Sequence, residues 1–96
     1  MSYTASKFAD HASAQCRILT YENGDRELMS YSTRVLYLDN EGWLTCTGTY
    51  SSTTRKHIGW FMREFVPSPL NNYYIAKGCF DGHYKINVLT GEIIDL

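Results

Sequence analysis

His57 has the most reactive neighbourhood in the sequence, because four consecutive hydroxyl residues lie a few positions before it. A histidine beside Ser51 or Thr53 could act as the base that activates a nucleophilic hydroxyl. Such a site also needs a carboxylate behind the histidine and donors for the oxyanion, and no G-x-S-x-G turn marks a nucleophile here. We therefore expect a structural histidine, no catalytic residues and no enzyme.

Two cysteine–histidine spacings suit zinc ligation. Cys79 and His83 are four residues apart, and His11 and Cys16 are five apart. Structural zinc sites usually contain paired ligand units such as C-x₂₋₄-C or H-x₃₋₅-H, and neither unit occurs here. We therefore expect no metal and no cofactor. The three cysteines are an odd number at wide spacing, which favours reduced thiols over a disulfide framework.

The hydroxyl-rich stretch Ser51–Thr54 has two interpretations. A helix that begins here could bind an anion through its free amides, beside Arg55 and Lys56. The same hydroxyls could instead cap the helix, and no glycine-rich phosphate loop accompanies them. We favour capping.

One segment combines this helix-start signal with a sustained helical period. Its large apolar residues recur at i, i+3, i+4 and i+7, namely Ile58, Phe61, Met62 and Phe65. Pro67 disfavours helical backbone at the residue before it. The pattern predicts one central α-helix at about residues 52–65, with its apolar face across a sheet.

Alternating segments on both sides of this helix predict short strands. Asn23-Gly24 separates the strands CRILTYE and ELMSYST, and both turn residues tolerate the positive φ of a type I′ turn. The other strand candidates are Arg34–Asp39, Trp43–Tyr50, Tyr73–Ala76, Phe80–Leu89 and Glu92–Leu96. We expect an α+β fold, in which an antiparallel sheet of about five to seven short strands, arranged as hairpins, packs on the central helix.

The length of 96 residues suits one domain. We expect residues 1–15 to form a flexible or weakly helical arm and residues 16–96 to form a single α+β domain. The formal net charge of −1 gives no overall attraction for nucleic acid or anionic membranes. No apolar run approaches the ~18 residues of a membrane helix, so we expect a cytosolic protein.

Aromatic and basic residues outside the predicted core are candidates for binding a partner, because such residues are enriched at interface hot spots. The candidate binding residues are Trp43, Trp60, Arg55, Lys56, Arg63, Tyr73 and Tyr74. A protein partner is expected. Nucleic acid bound by Arg55, Lys56 and Arg63 is the alternative, although the balanced charge weakens it. These rings could also only complete the core. The last strand, Glu92–Leu96, could pair with a second copy to give a homodimer.

Two motifs carry a resemblance to small uncharacterised proteins of tailed bacteriophages, over residues 17–65. Those proteins share S-Y-x-T-x-V in a strand and Y-S-x-T-T-x-x-H at a helix start, and this chain reads SYSTRV from Ser30 and YSSTTRKH from Tyr50, followed by Phe61-Met62. The shared polar residues are Ser30, Tyr31, Thr33, Tyr50, Ser51, Thr53, Thr54 and His57. The resemblance implies a phage origin but no known activity. Phage accessory proteins of this size commonly bind host proteins, including as inhibitors of defence systems, which would place the protein in the host cytosol.

Overall fold

The computed structural model describes residues 2–96, which contain seven strands and two α-helices. All seven strands form one antiparallel sheet in which each strand pairs with the next one along the chain. The strands are β1 Tyr3–Ser6, β2 Cys16–Tyr21, β3 Arg26–Ser30, β4 Thr33–Leu38, β5 Trp43–Cys46, β6 Tyr84–Asn87 and β7 Ile93–Asp95. The helices α1 Ser52–Phe65 and α2 Tyr73–Phe80 lie between β5 and β6 in the chain. The predicted α+β class with an antiparallel sheet is confirmed.

The hairpin of β2 and β3 forms where it was predicted, but its turn differs. The amide of Gly24 donates to the carbonyl of Tyr21 at 3.0 Å, and the amide of Tyr21 donates to the carbonyl of Asp25 at 2.9 Å. Gly24 has a φ of +94°, whereas Asn23 keeps a negative φ. A type I′ turn needs positive φ at both positions, so the expected turn type is wrong. A loop of residues 22–25 connects the two strands instead, with Gly24 at positive φ.

Helix α1 has the predicted bounds. The hydroxyl of Ser51 accepts from the amide of Thr54 at 3.1 Å and so caps the first turn. Val66 ends the helix in extended backbone before Pro67. The apolar face packs on one face of the sheet, where the buried residues are Leu28, Leu36, Leu44 and Ile86 from the sheet and Ile58, Phe61 and Met62 from the helix.

The second helix corrects the expectation of a strand at Tyr73–Ala76 and of a single central helix. The side chain of Asn72 accepts from the amide of Tyr74 at 3.0 Å, which caps α2. The small residues Ala76 and Gly78 are buried, and Gly78 lies directly against the ring of Tyr84. Close packing on the sheet therefore stabilises a helix that the aromatic and glycine content of this segment disfavours.

The N-terminal segment is also different from the expected flexible or weakly helical arm. β1 pairs with β2 over four residues, and a 3₁₀ turn follows at Ala9–His11. The side chain of Phe8 is only 4% exposed and belongs to the main core. One buried aromatic ring and a row of backbone hydrogen bonds therefore join residues 2–15 to the sheet. In residues 2–96, neither helix is long and apolar enough to span a membrane.

Candidate functional site

The two polar motifs of the sequence meet in a buried hydrogen-bond network between β3 and α1. The hydroxyl of Ser30 lies 2.8 Å from Nδ1 of His57 and 3.1 Å from the hydroxyl of Thr54. The hydroxyl of Ser51 donates to that of Thr54 at 3.1 Å. Ser30, Thr54 and His57 are all buried, so the network joins the strand to the first turns of the helix away from water.

His57 is suited to holding these elements together. Burial, with a smaller effect from the charge of Lys56, lowers the pKa of His57, so its imidazole is neutral at pH 7. Its hydroxyl partner is Ser30, not the expected candidates Ser51 and Thr53. Ser51 bonds to Thr54, and Thr53 is exposed. The arrangement therefore supports a structural histidine.

Tyr31 covers this network from the tip of the β3–β4 hairpin. Its φ of +57° is rare for a residue with a side chain, and its ring centroid lies 5.9 Å from that of His57. The remaining motif residues stay apart from the network. Thr33 and Thr53 are exposed, and Tyr50 is 67% exposed with its hydroxyl donating to a nearby backbone carbonyl.

The ring of Trp60 packs mainly against the N-terminal segment. It stacks on the ring of His11 with 3.6 Å between centroids and 3° between planes. The ring of Phe8 meets it edge-on at 5.9 Å, and His57 lies 5.3 Å away. Phe8 and His11 were not among the predicted binding residues, although Phe8 stands out as a large apolar residue in a polar segment. Trp60 therefore holds the N-terminal segment on α1.

The basic residues of α1 fall into two groups. Lys56, Trp60 and Arg63 follow the helical spacing i, i+4 and i+7 and share one face, where a hollow of about 290 Å³ lies beside Trp60 and Arg63. Arg55 lies on another side of the helix, and its charge acts on Lys77 of α2. The basic residues of this helix therefore do not form one continuous patch.

The tyrosines at the start of α2 form a separate pair. Tyr74 is 76% exposed, and its ring meets that of Tyr73 at 5.3 Å between centroids. The hydroxyl of Tyr73 is buried and has no hydrogen-bond partner within residues 2–96. Tyr74 thus offers an exposed ring, whereas Tyr73 is partly used in packing.

Trp43 lies on the face of the sheet opposite the helices. It alternates along β5 with Leu44, which is buried on the helix-covered face. β5 and β6 pair at Trp43–Asn87 and Leu44–Ile86, and no pair follows at Cys46 and Tyr84. A cleft of about 510 Å³ lies where the two strands diverge. We call it the C-terminal cleft, and its lining includes Trp43, Thr45, Cys46, Cys79, Lys85, Ile94 and Leu96.

The C-terminal cleft is largely apolar. Burial raises the pKa of the Cys46 thiol, and burial with the nearby Cys46 raises the pKa of Cys79 to about 11. Both thiols are therefore protonated at neutral pH and contribute as small apolar groups. Thr45, Tyr84 and Lys85 are the polar residues of its lining. The cleft suits an apolar side chain or ligand better than a charged one.

Exposed aliphatic residues continue from the cleft to the edge of the sheet. The exposed fractions are 57% for Leu89, 53% for Ile93, 43% for Ile94 and 70% for Leu96. The sequence predicted a strand at Glu92–Leu96, and β7 pairs with β6 without covering the apolar side chains there. Ile94 and Leu96 share a face of the last strand and both line the cleft, and apolar groups placed together in this way mark interaction sites more often than single exposed residues do.

The sequence profile of a family of unknown function (DUF8033) matches residues 2–73, which is most of the chain. The chain belongs to this family. No curated protein and no solved structure matches it significantly. The DUF8033 match contains the Ser30–His57 network and Trp60, and it ends at the first residue of α2. The exposed residues Leu89, Ile93, Ile94 and Leu96 lie outside the matched residues.

Proposed function

We propose that this DUF8033 protein is a non-catalytic module that binds another protein stoichiometrically. The carrying observation is the group of exposed aliphatic residues Leu89, Ile93, Ile94 and Leu96, of which Ile94 and Leu96 line the C-terminal cleft. Exposed aliphatic side chains next to a tryptophan-lined cleft lose unfavourable contact with water when a partner covers them. The resemblance to phage proteins supports a phage origin and a host protein as the partner, with inhibition of a host or defence system as the outcome of binding.

The environments of His57 and of the two cleft thiols favour a non-catalytic role. The imidazole of His57 is buried and bonded to Ser30, and both thiols of the cleft are held protonated by burial. None of these groups is placed as an activated nucleophile. Binding through shape and apolar contact is therefore the role that the arrangement favours.

Nucleic-acid binding receives less support. Lys56 and Arg63 share a face of α1, but Arg55 does not, and His11 already covers one face of the Trp60 ring. Base stacking needs an open aromatic face, and phosphate binding needs several clustered cations. Trp43 keeps partial exposure but stands on the opposite side of the sheet from this helix face.

An affinity pull-down from host lysate tests the proposal. The tagged protein should retain a specific host protein after nuclease treatment and in high salt, and Trp43→Ala should reduce its recovery at least tenfold. Lys56→Ala, on the other side of the molecule, is the matched control and should leave recovery unchanged. Loss of all partners after nuclease would instead favour nucleic acid.

A further inference from the structure

The edge strand β7 has free backbone groups in a fixed order. The amide of Leu96 donates to the carbonyl of His83, and the amide of Asn87 donates to the carbonyl of Glu92, so Leu96 and Glu92 direct their peptide groups towards β6. Because this direction alternates along an antiparallel strand, Ile93 and Asp95 direct theirs away from the sheet. Their amides and carbonyls form an open edge that can accept another strand.

The side chains along this open edge are aliphatic at three positions and acidic at two. Ile93, Ile94 and Leu96 are exposed, and Glu92 and Asp95 are exposed carboxylates that form no salt bridge within residues 2–96. Residues opposite one another on neighbouring strands share a face and contact each other. A complementary strand therefore carries cations opposite Glu92 and Asp95 and apolar residues opposite the other three.

A second copy of the chain fits this edge poorly. An antiparallel pair must join outward-facing residues, so β7 could meet itself centred on Ile93, Ile94 or Asp95. These registers place Ile94 opposite Glu92, Ile93 opposite Asp95, or two Asp95 carboxylates opposite each other. Each one sets a carboxylate against an isoleucine or against another carboxylate, which is unfavourable.

We infer that β7 accepts an extended segment of the partner protein as an eighth strand, with the order apolar, basic, apolar, apolar, basic when it runs antiparallel. This inference rests on the proposed protein-binding function. The apolar residues opposite Ile94 and Leu96 lie on the side of the sheet that carries Trp43, where the C-terminal cleft can receive a large side chain. The backbone bonds supply affinity, and the acidic and apolar positions supply selectivity.

The peptide acetyl-Val-Lys-Val-Val-Lys-amide tests the inference by titration into the ¹⁵N-labelled full chain. We expect the amide signals of Ile93 and Asp95 to shift and to gain protection from exchange, while those of Tyr3 and Ala5 on β1 stay unchanged. The matched peptide with glutamate in place of lysine should bind at least tenfold more weakly. Equal binding of the two peptides would overturn the charge complementarity on which the inference depends.

Two proline variants separate backbone pairing from other contacts. Asp95→Pro removes an outward amide and keeps the bonds to β6, because proline is tolerated at an edge position that makes no ladder bond. It should weaken peptide binding at least tenfold, and Asp95→Asn, which keeps the amide, should weaken it less. Ala5→Pro removes an outward amide from β1, since the bond from Glu22 to Ser2 sets the same alternation there, and it should have no effect.

Other results would separate the inference from the proposed function. Capture of a host protein that is sensitive to Trp43→Ala and insensitive to Asp95→Pro would refute strand addition and leave protein binding in place. A concentration-dependent dimer that Asp95→Pro abolishes would show that a second copy is the occupant and would overturn the inference. Circular dichroism and the chemical shifts of β6 establish that each variant is folded.

Discussion

The two edges of the sheet, β1 and β7, are similar in backbone and opposite in side chains. Each is a short strand with one paired side and one open side. β1 reads YTAS and exposes little aliphatic surface, whereas β7 lies within a row of exposed isoleucine and leucine residues. β1 lacks the charged residues and prolines that natural edge strands use against unwanted pairing, but it offers a partner strand little aliphatic surface to cover, whereas Ile93, Ile94 and Leu96 offer an apolar one. Under the proposed function, the β1 end of the sheet contributes to stability, and Glu92–Leu96, which we call the recognition edge, binds the partner.

The attachment of β1 is the first part of this comparison to test, and it has the largest expected effect. Phe8→Ala removes a core ring that also contacts Trp60, and it should lower the free energy of unfolding by about 3–5 kcal/mol. Urea unfolding measures this loss, and hydrogen exchange should show faster exchange in β1 than in β7. Phe80→Ala is the control, because that ring is 43% exposed and its loss should cost far less. Equal costs for the two variants would contradict the assigned role of Phe8.

The hydrogen-bond network around Ser30 should contribute less to the free energy of unfolding than Phe8 does. Ser30→Ala leaves the buried Nδ1 of His57 and the Thr54 hydroxyl without this partner, which should cost about 1–3 kcal/mol. Thr33→Ala, at an exposed position of the same hairpin, should change stability by less than about 0.5 kcal/mol. Chemical denaturation compares the two. A cost for Ser30→Ala as small as that for Thr33→Ala would show that the network is not energetically important.

The pH dependence of stability tests whether the buried His57 stabilises the fold. The pKa of folded His57 is below its unfolded value of about 6.5, so the unfolded chain binds more protons near that pH. Stability should be steady between about pH 7 and 8 and fall as the pH is lowered through about 6.5, whereas above about pH 8 the raised pKa values of the buried thiols make it fall again. Urea midpoints between about pH 5 and 8 measure this, above the range in which the lowered pKa of Asp25 takes effect. His57→Gln should remove the slope, and a slope that persists would assign it to another group.

The smallest effect on stability is expected at the recognition edge itself. Ile94→Gln places an uncharged amide opposite Lys85 of β6 and should alter the free energy of unfolding by less than about 0.5 kcal/mol. The same change places a polar group among the exposed apolar residues and should reduce partner capture at least tenfold. Parallel unfolding and pull-down measurements on one preparation give both numbers. A large loss of stability with unchanged capture would reverse the roles assigned to the two edges.

Local signals made part of the fold predictable. The cap at Ser51, the apolar period of α1 and Pro67 are all close in sequence, and each acts on the same helix. Helix α2 was missed because its stability depends on packing Ala76 and Gly78 against distant strands. Strand β1 was also missed because it depends on distant contacts, namely its pairing with β2 and the burial of Phe8 in the core.

The candidate sites were less predictable than the fold. Ser30 and His57 are 27 residues apart, and only the folded hairpin shows that they bond to each other. Trp60 was expected to bind a partner because aromatic residues near basic ones are enriched at interfaces, and no local sequence signal reveals its stacking on His11. Trp43 and the aliphatic residues of β7 were both recognised, but the gap between β5 and β6 that unites them is a property of the assembled sheet.

The pairing of β5 with β6 also has a consequence for the order of folding. Every other pair in the described sheet joins strands linked by a short turn or loop, whereas this pair must wait for the two helices that separate Cys46 from Tyr84. Closing a long loop costs entropy that is recovered only when the distant contacts form, so such pairings come late. On a ribosome or during refolding, β1 to β5 can assemble before β6 and β7 join them. The recognition edge would then become available only once the rest of the molecule is complete.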